Sequence, residues 1–206
     1  MAGLNLMQLG VFGGTFDPPH VGHLILASEA VEQLRLDRLL WVLTPDPPHK
    51  QGQVISSLEA RLKLVQAAIG DNPCFELSLI EVDRPGPHYA LDTVRLLKQA
   101  FEDARIFYLI GGDSLRDLPG WHRPGDLIAE ISTLGVVRRP GDQIDLSRLE
   151  QAVPGLSARI EFIDAPLMEI SAREIRQRVA EGRHYRYYLP PAVYTIIEQM
   201  GLYRSI

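Results

Sequence analysis

Short apolar runs, each closed by turn residues, alternate along this chain with segments whose apolar residues recur at helical spacing, a pattern that calls for βα units laid into a parallel sheet. Met7–Phe12 reads as the first strand, and the helix after it begins at Val21, with Leu24, Ile25, Ser28, Val31 and Leu34 on one face. Arg38–Thr44 reads as a second strand, followed by a Pro-rich loop over Pro45–Ile55 that cannot join a central strand. Ser56 with Glu59 three residues on forms a capping box for a helix whose apolar face carries Leu58, Leu62, Val65 and Ile69. Further strands are expected over Phe75–Glu81, Ile106–Ile110, Thr133–Val137 and Arg159–Ile163, and further helices from about Tyr89 to Glu102 and over Asp126–Ile131. Ser171 and Glu174 form a second capping box for a helix ending at Gly182, and Pro190–Tyr203 reads as a last amphipathic helix.

A chain of 206 residues is the size of one domain with a modest appendage, so residues 1–206 are read as a single unit in which about 166–206 form a C-terminal helical part. With 46% apolar and 23% charged residues it can bury a core without disulfides, and Cys74, its one cysteine, is read as a packing residue. Met1–Leu9 lacks the pattern of a secretory leader and no apolar stretch approaches eighteen residues, so a cytoplasmic protein with no membrane partner is expected. A net charge of −5 argues against a coat for nucleic acid, since such affinity comes from neutralising phosphates. The basic cluster Arg183, His184, Tyr185, Arg186 is read as a solvated helix exit.

The turn Gly13–His20 is the first place to look for a site, because parallel sheets place ligands at the carboxyl ends of their strands. Adjacent glycines Gly13 and Gly14 let backbone N–H groups approach an anion, and the helix from Val21 adds the positive end of its dipole. His20 and His23, three apart, project from one helical turn. Asp17 can order the turn through an Asx-type bond.

The string Gly13-Gly14-Thr15-Phe16-Asp17-Pro18-Pro19-His20-Val21-Gly22-His23 matches the T/H-x-G-H signature of the nucleotidyltransferase superfamily and resembles the opening of the bacterial nicotinate-mononucleotide adenylyltransferases. Ile170-Ser171-Ala172-Arg173-Glu174-Ile175-Arg176 resembles that family's late phosphate motif, with Arg173 in place of the usual threonine. Pro47-Pro48-His49-Lys50, Ile110-Gly111-Gly112-Asp113-Ser114, Tyr89 to Thr93, Trp121 and Arg138-Arg139-Pro140-Gly141 are similar to further family segments, so the likeness runs from Leu9 to Tyr203. Ala90 departs from the pattern, where a hydroxyl residue is usual near the nicotinate carboxylate.

The resemblance implies a Rossmann-like α/β fold, a parallel sheet flanked by helices with a small C-terminal helical appendage. It implies an enzyme that transfers AMP from ATP to nicotinate mononucleotide, giving deamido-NAD and pyrophosphate, with Mg²⁺ accompanying the triphosphate and no dedicated metal residues. By the same likeness His20, His23 and Arg176 are the catalytic residues, holding phosphate charge without a covalent enzyme intermediate. Gly13, Gly14, Thr15, Phe16, His20, His23, Gly111, Asp113, Arg139, Ser171 and Arg176 would surround ATP. Thr15, His49, Lys50, Tyr89, Ala90, Leu91, Asp113, Trp121 and His122 would surround the mononucleotide. The superfamily likeness leaves open nicotinamide mononucleotide, phosphopantetheine or a cytidylyl transfer as the chemistry, and, in a different class, a non-catalytic nucleotide sensor. A role on tRNA is disfavoured, since the chain is acidic and has no room for an anticodon-binding domain.

Overall fold

A computed structural model describes residues 6–46, 55–138, 144–166 and 168–204. Among them six strands form one parallel sheet: β1 (Met7–Gly14), β2 (Arg38–Leu43), β3 (Phe75–Ser78), β4 (Ala104–Gly111), β5 (Thr133–Arg138) and β6 (Ile160–Asp164). Their order is β3-β2-β1-β4-β5-β6, with every neighbouring pair parallel. The chain reverses its direction of travel across the sheet between β1 and β4, the position where such sheets open a crevice at their carboxyl edge.

Both sheet faces are buried, as expected when crossover helices cover each side. Along β4, Ile106, Tyr108 and Ile110 point to one face and Phe107 and Leu109 to the other. The first face packs α3 (Ala90–Ala100), α4 (Gly112–Asp117), α5 (Pro124–Glu130) and α6 (Leu146–Ala152) through Leu91, Val94, Leu97, Leu115, Leu127 and Leu149. The second packs α1 (Val21–Gln33) and α2 (Leu58–Ile69) through Ala27, Ala30, Val65 and Ile69. The last helices, α7 (Ala172–Ala180) and α8 (Pro191–Met200), do not reach the sheet core. They share a third cluster with Leu64 and Ala68 of α2, built from Ile175, Val179, Tyr185, Leu189, Val193, Ile197 and Tyr203. No helix among the described residues is long and apolar enough to cross a membrane.

The structure corrects several boundaries. Helix α1 buries Ala27 and Ala30 and leaves Ser28 exposed, because small side chains let it lie close to the sheet, where Leu34 at its end meets Gly135. Helix α2 is capped by Ser57, whose hydroxyl accepts from the Ala60 N–H, and not by Ser56. Strand β3 stops at Ser78, and α6 has no counterpart in the sequence reading. At α7, Ser171 caps the Glu174 N–H, but the Glu174 carboxylate pairs with Arg178, so only half of the capping box forms.

Candidate active site

Strand β1 ends at Gly14 and the chain turns sharply into α1. A Cβ at Gly14 would lie 2.8 Å from the Phe16 ring, so glycine there makes room for that ring. Phe16 takes a left-handed backbone (φ 47°) that sends its side chain into the core, 5.4 Å from Phe12 and 5.3 Å edge-on to His23 between ring centres. Its ring therefore supports His23 from the protein side, and only its backbone faces outward to where a ligand would lie.

His20 occupies the N-cap of α1 and is 7% exposed. Its backbone N–H donates to His23 Nδ1 at 3.2 Å, which leaves the proton of a neutral His23 ring on Nε2. The two imidazoles overlap with centres 3.7 Å apart. Burial pushes the His20 imidazole down to about 4, and its buried Nδ1 has no protein hydrogen-bond partner. Gly22 is what admits this ring: a Cβ there would stand 3.1 Å from His20 Nδ1.

Asp17 ties this turn to three distant segments. Its carboxylate accepts from the Tyr203 hydroxyl at 2.7 Å and from the Ser56 N–H at 3.1 Å, and its backbone carbonyl accepts from Arg176 at 2.6 Å. The Arg176 guanidinium of α7 is thereby fixed three residues from His20. Arg61, only 3% exposed, donates to the carbonyls of Ser56, Thr15, Thr44 and Pro45 and so clamps the ends of β1 and β2 to α2.

Beside this turn a cleft of about 290 Å³ opens. Its walls are His20, Gly22, His23, Ile25 and Leu26 of the first turns of α1, Val137 and Arg138 at the end of β5, Ala165, Pro166 and Met168 after β6, and Ile170, Ser171 and Ala172 at the start of α7. The two imidazoles and the Ser171 hydroxyl thus face one space from opposite ends of the chain. Arg173 is exposed, and Arg138 is engaged by Asp164 and the Phe162 ring.

A second group gathers at the same carboxyl edge on the α3–α4 side. Trp121 meets Tyr108 edge-on at 6.4 Å, and the Tyr108 hydroxyl lies beside Gly13, so the floor of one side is continuous with β1. The Tyr89 and His122 rings stack at 4.1 Å, bringing together two loops more than thirty residues apart. Ala90 and Leu91 begin α3, but the Leu91 side chain lies in the core and only its backbone is accessible from the edge. Asp113, exposed in the first turn of α4 after Gly111, pairs with Arg116. His49, Lys50 and Arg139 lie outside the described residues.

The sequence reading missed Arg61, the bond from Ser56 to Asp17 and the structural use of Tyr203. The available signals were an arginine four residues past the serine cap of α2 and a tyrosine just past the end of the last helix, neither of which specifies a partner.

An imidazole pair, a capped serine and a fixed guanidinium at the carboxyl edge of a sheet with this strand order define a nucleotide-handling α/β protein. The chain belongs to the cytidylyltransferase-like family, whose model matches residues 11–178. It is 45% identical to a probable nicotinate-nucleotide adenylyltransferase of Thermomicrobium roseum over 98% of this chain and 94% of that one. It is 45% identical to a protein of the same name from Exiguobacterium sibiricum over 97% of this chain and all of that one. In fold it is similar to the Plasmodium falciparum nicotinic acid mononucleotide adenylyltransferase complexed with NaAD, at a TM-score of 0.79 and 16% identity, covering 97% of this chain and 98% of that one.

Proposed function

We propose that this chain transfers AMP from ATP to nicotinate mononucleotide, forming deamido-NAD and pyrophosphate. The observation that carries the reading is the convergence of His20, His23 and Ser171 on one cleft, with Arg176 fixed three residues from His20 on the Asp17 carbonyl. The names of its relatives agree with it.

The reaction needs a phosphate oxygen of the mononucleotide to form a bond to the α-phosphorus of ATP as the bond from that phosphorus to the β-phosphate oxygen breaks. Pyrophosphate leaves with the electron pair. Positioning and charge neutralisation supply most of the acceleration in such transfers, so no side-chain nucleophile is required. His20, neutral when the cleft is free of anions, gains proton affinity beside a polyphosphate and can then carry positive charge where the transition state needs it. His23 donates through Nε2, and Arg176 offers a forked donor set to phosphate oxygens. The first amides of α3, at Ala90 and Leu91, lie at the positive end of a helix and suit the carboxylate of the nicotinate ring, with Trp121 and Tyr89 as its aromatic neighbours. Asp113 suits a ribose diol.

The donors at the cleft are imidazole, hydroxyl and guanidinium, a set for anions. Among the described residues no group of three His, Cys, Asp or Glu side chains stands ready to hold a metal ion. The divalent ion, Mg²⁺ in our reading, belongs to the substrate, the magnesium complex of ATP, where it neutralises leaving oxygens. We further propose that the whole chain works as one unit in the cytoplasm, with the helical segment 166–206 forming part of the ATP grip.

Initial rates of pyrophosphate release with ATP or CTP and, in turn, nicotinate mononucleotide, nicotinamide mononucleotide and phosphopantetheine test the reading. The highest kcat/KM is expected for ATP with nicotinate mononucleotide. Release that does not depend on any acceptor, or a preference for CTP, would overturn it.

A further inference from the structure

Tyr203 lies near the end of the chain, yet its hydroxyl reaches the first active-site turn. It adopts a left-handed backbone (φ 66°), a conformation that a bulky side chain takes only where surrounding contacts hold it. Its ring is buried among Leu64 and Ala68 of α2, Ile175 of α7 and Ile197 of α8, and its hydroxyl donates to the Asp17 carboxylate across 186 residues of sequence. Ser56 contributes both its N–H to Asp17 and its side chain to the Tyr203 hydroxyl. The other end of the same aspartate, its carbonyl, receives Arg176. One buried cluster thus joins the residue that enters the His20 turn, the arginine of α7 and the segment after α8.

We infer that Tyr203 is a positioning residue for AMP transfer: through Asp17 it sets where Arg176 and the His20–His23 pair stand relative to one another. The inference rests on the proposed transferase reading. A hydrogen bond of this kind anchors two elements against each other at small distance, and a displacement on the order of 1 Å in a phosphate-gripping group costs up to about a hundredfold in rate. The aspartate carbonyl has no freedom to follow Arg176 while its side chain is held on Tyr203 and Ser56. A chain ending before Tyr203 would retain every residue at the cleft and lose what aligns them.

The test is Tyr203→Phe, which removes one oxygen, compared with Tyr185→Phe. Tyr185 sits in the same apolar cluster and gives its hydroxyl to the exposed Glu198, away from the cleft, so it controls for removing a tyrosine hydroxyl from this cluster without touching Asp17. Melting midpoints, kcat, KM for nicotinate mononucleotide and calorimetric affinity for MgATP are measured on all three proteins well below their midpoints. Tyr203→Phe is expected to lose about tenfold in kcat and about threefold in MgATP affinity with KM for the mononucleotide within about twofold, while Tyr185→Phe keeps wild-type kinetics. Asp17→Asn, which keeps an oxygen for the phenol but cannot accept from both Tyr203 and Ser56 as the carboxylate does, is expected to show the same split and serves if Tyr203→Phe does not fold. Wild-type kcat and MgATP affinity in Tyr203→Phe, or equal losses in the two tyrosine variants, would overturn the inference. An inactive wild type would instead overturn the transferase reading, and the MgATP affinities would still decide the role of Tyr203.

Discussion

Lowering the pH from 7.5 to 5 should destabilise the wild-type protein through His20 in a way that a variant lacking that imidazole does not share. In the folded chain burial moves His20 from the ordinary 6.5 to about 4, with its side chain almost fully enclosed. Between those two values the unfolded chain binds a proton at this position and the folded chain does not. Stability is therefore intact above about 6.5 and lost progressively as pH falls towards 4. The two proton affinities give a loss of about 2 kcal/mol at pH 5 relative to pH 7.5. Urea unfolding of wild type and His20→Gln at several pH values isolates the effect, since other titrating groups are common to both proteins. The free energy of the wild type should fall by about 2 kcal/mol more than that of the variant over this range. Parallel curves for the two proteins would refute the claim that His20 is held neutral by burial. If bound MgATP protonates His20, as the proposed charge-carrying role entails, binding at pH 7 draws in a proton, visible as a buffer-dependent binding enthalpy that disappears in His20→Gln.

Gly22→Ala raises intrinsic helix propensity by about 1 kcal/mol but puts a Cβ against His20, so the melting temperature should hold or rise while kcat falls about tenfold. Equal kcat in that variant would show that the His20 ring is not confined by Gly22. Arg61→Met leaves four carbonyls without their donor and should cost about 3–5 kcal/mol of unfolding free energy by urea titration. A loss below about 1 kcal/mol would show that the clamp is not structural. Trp121→Ala should raise KM for the mononucleotide about fivefold to tenfold with kcat changed less, the signature of lost ring contact before the transition state. An unchanged KM would remove Trp121 from the acceptor site.

The strands, their parallel sheet and the strand-turn-helix unit after β1 were legible because each follows from local pattern. Short continuous apolar runs mark the strands, and a strand followed by Gly13-Gly14 and a helix start marks the carboxyl edge. What local pattern does not carry is which of several adequate local choices the tertiary structure uses. Ser56 and Ser57 both satisfy the rule for a helix cap, and the Ser56 side chain is taken by the Tyr203 hydroxyl, leaving Ser57 to cap α2. On α1 the apolar stripe does pack on the core through Leu24, Val31 and Leu34, but Ala27 and Ala30 are the most deeply buried because small side chains let the helix lie close to the sheet. Phe16 stands within the turn read as an anion site, yet its left-handed backbone turns the ring into the core. Arg61 falls on the buried face of α2, between Leu58 and Val65, but its charge reads as solvent-facing, and only the meeting of the Thr15, Thr44 and Pro45 carbonyls explains its burial. The Tyr89–His122 stack joins two loops that no periodicity relates.

Single-turnover transfer of AMP by His20→Ala, Arg176→Ala and the double variant tests most directly whether these groups grip one polyphosphate. Each single change is expected to slow transfer by about a hundredfold or more, and the double change by clearly less than the product of the two, since both act on the same developing charge. Near-wild-type transfer in His20→Ala, or fully multiplicative losses in the double variant, would contradict a shared site.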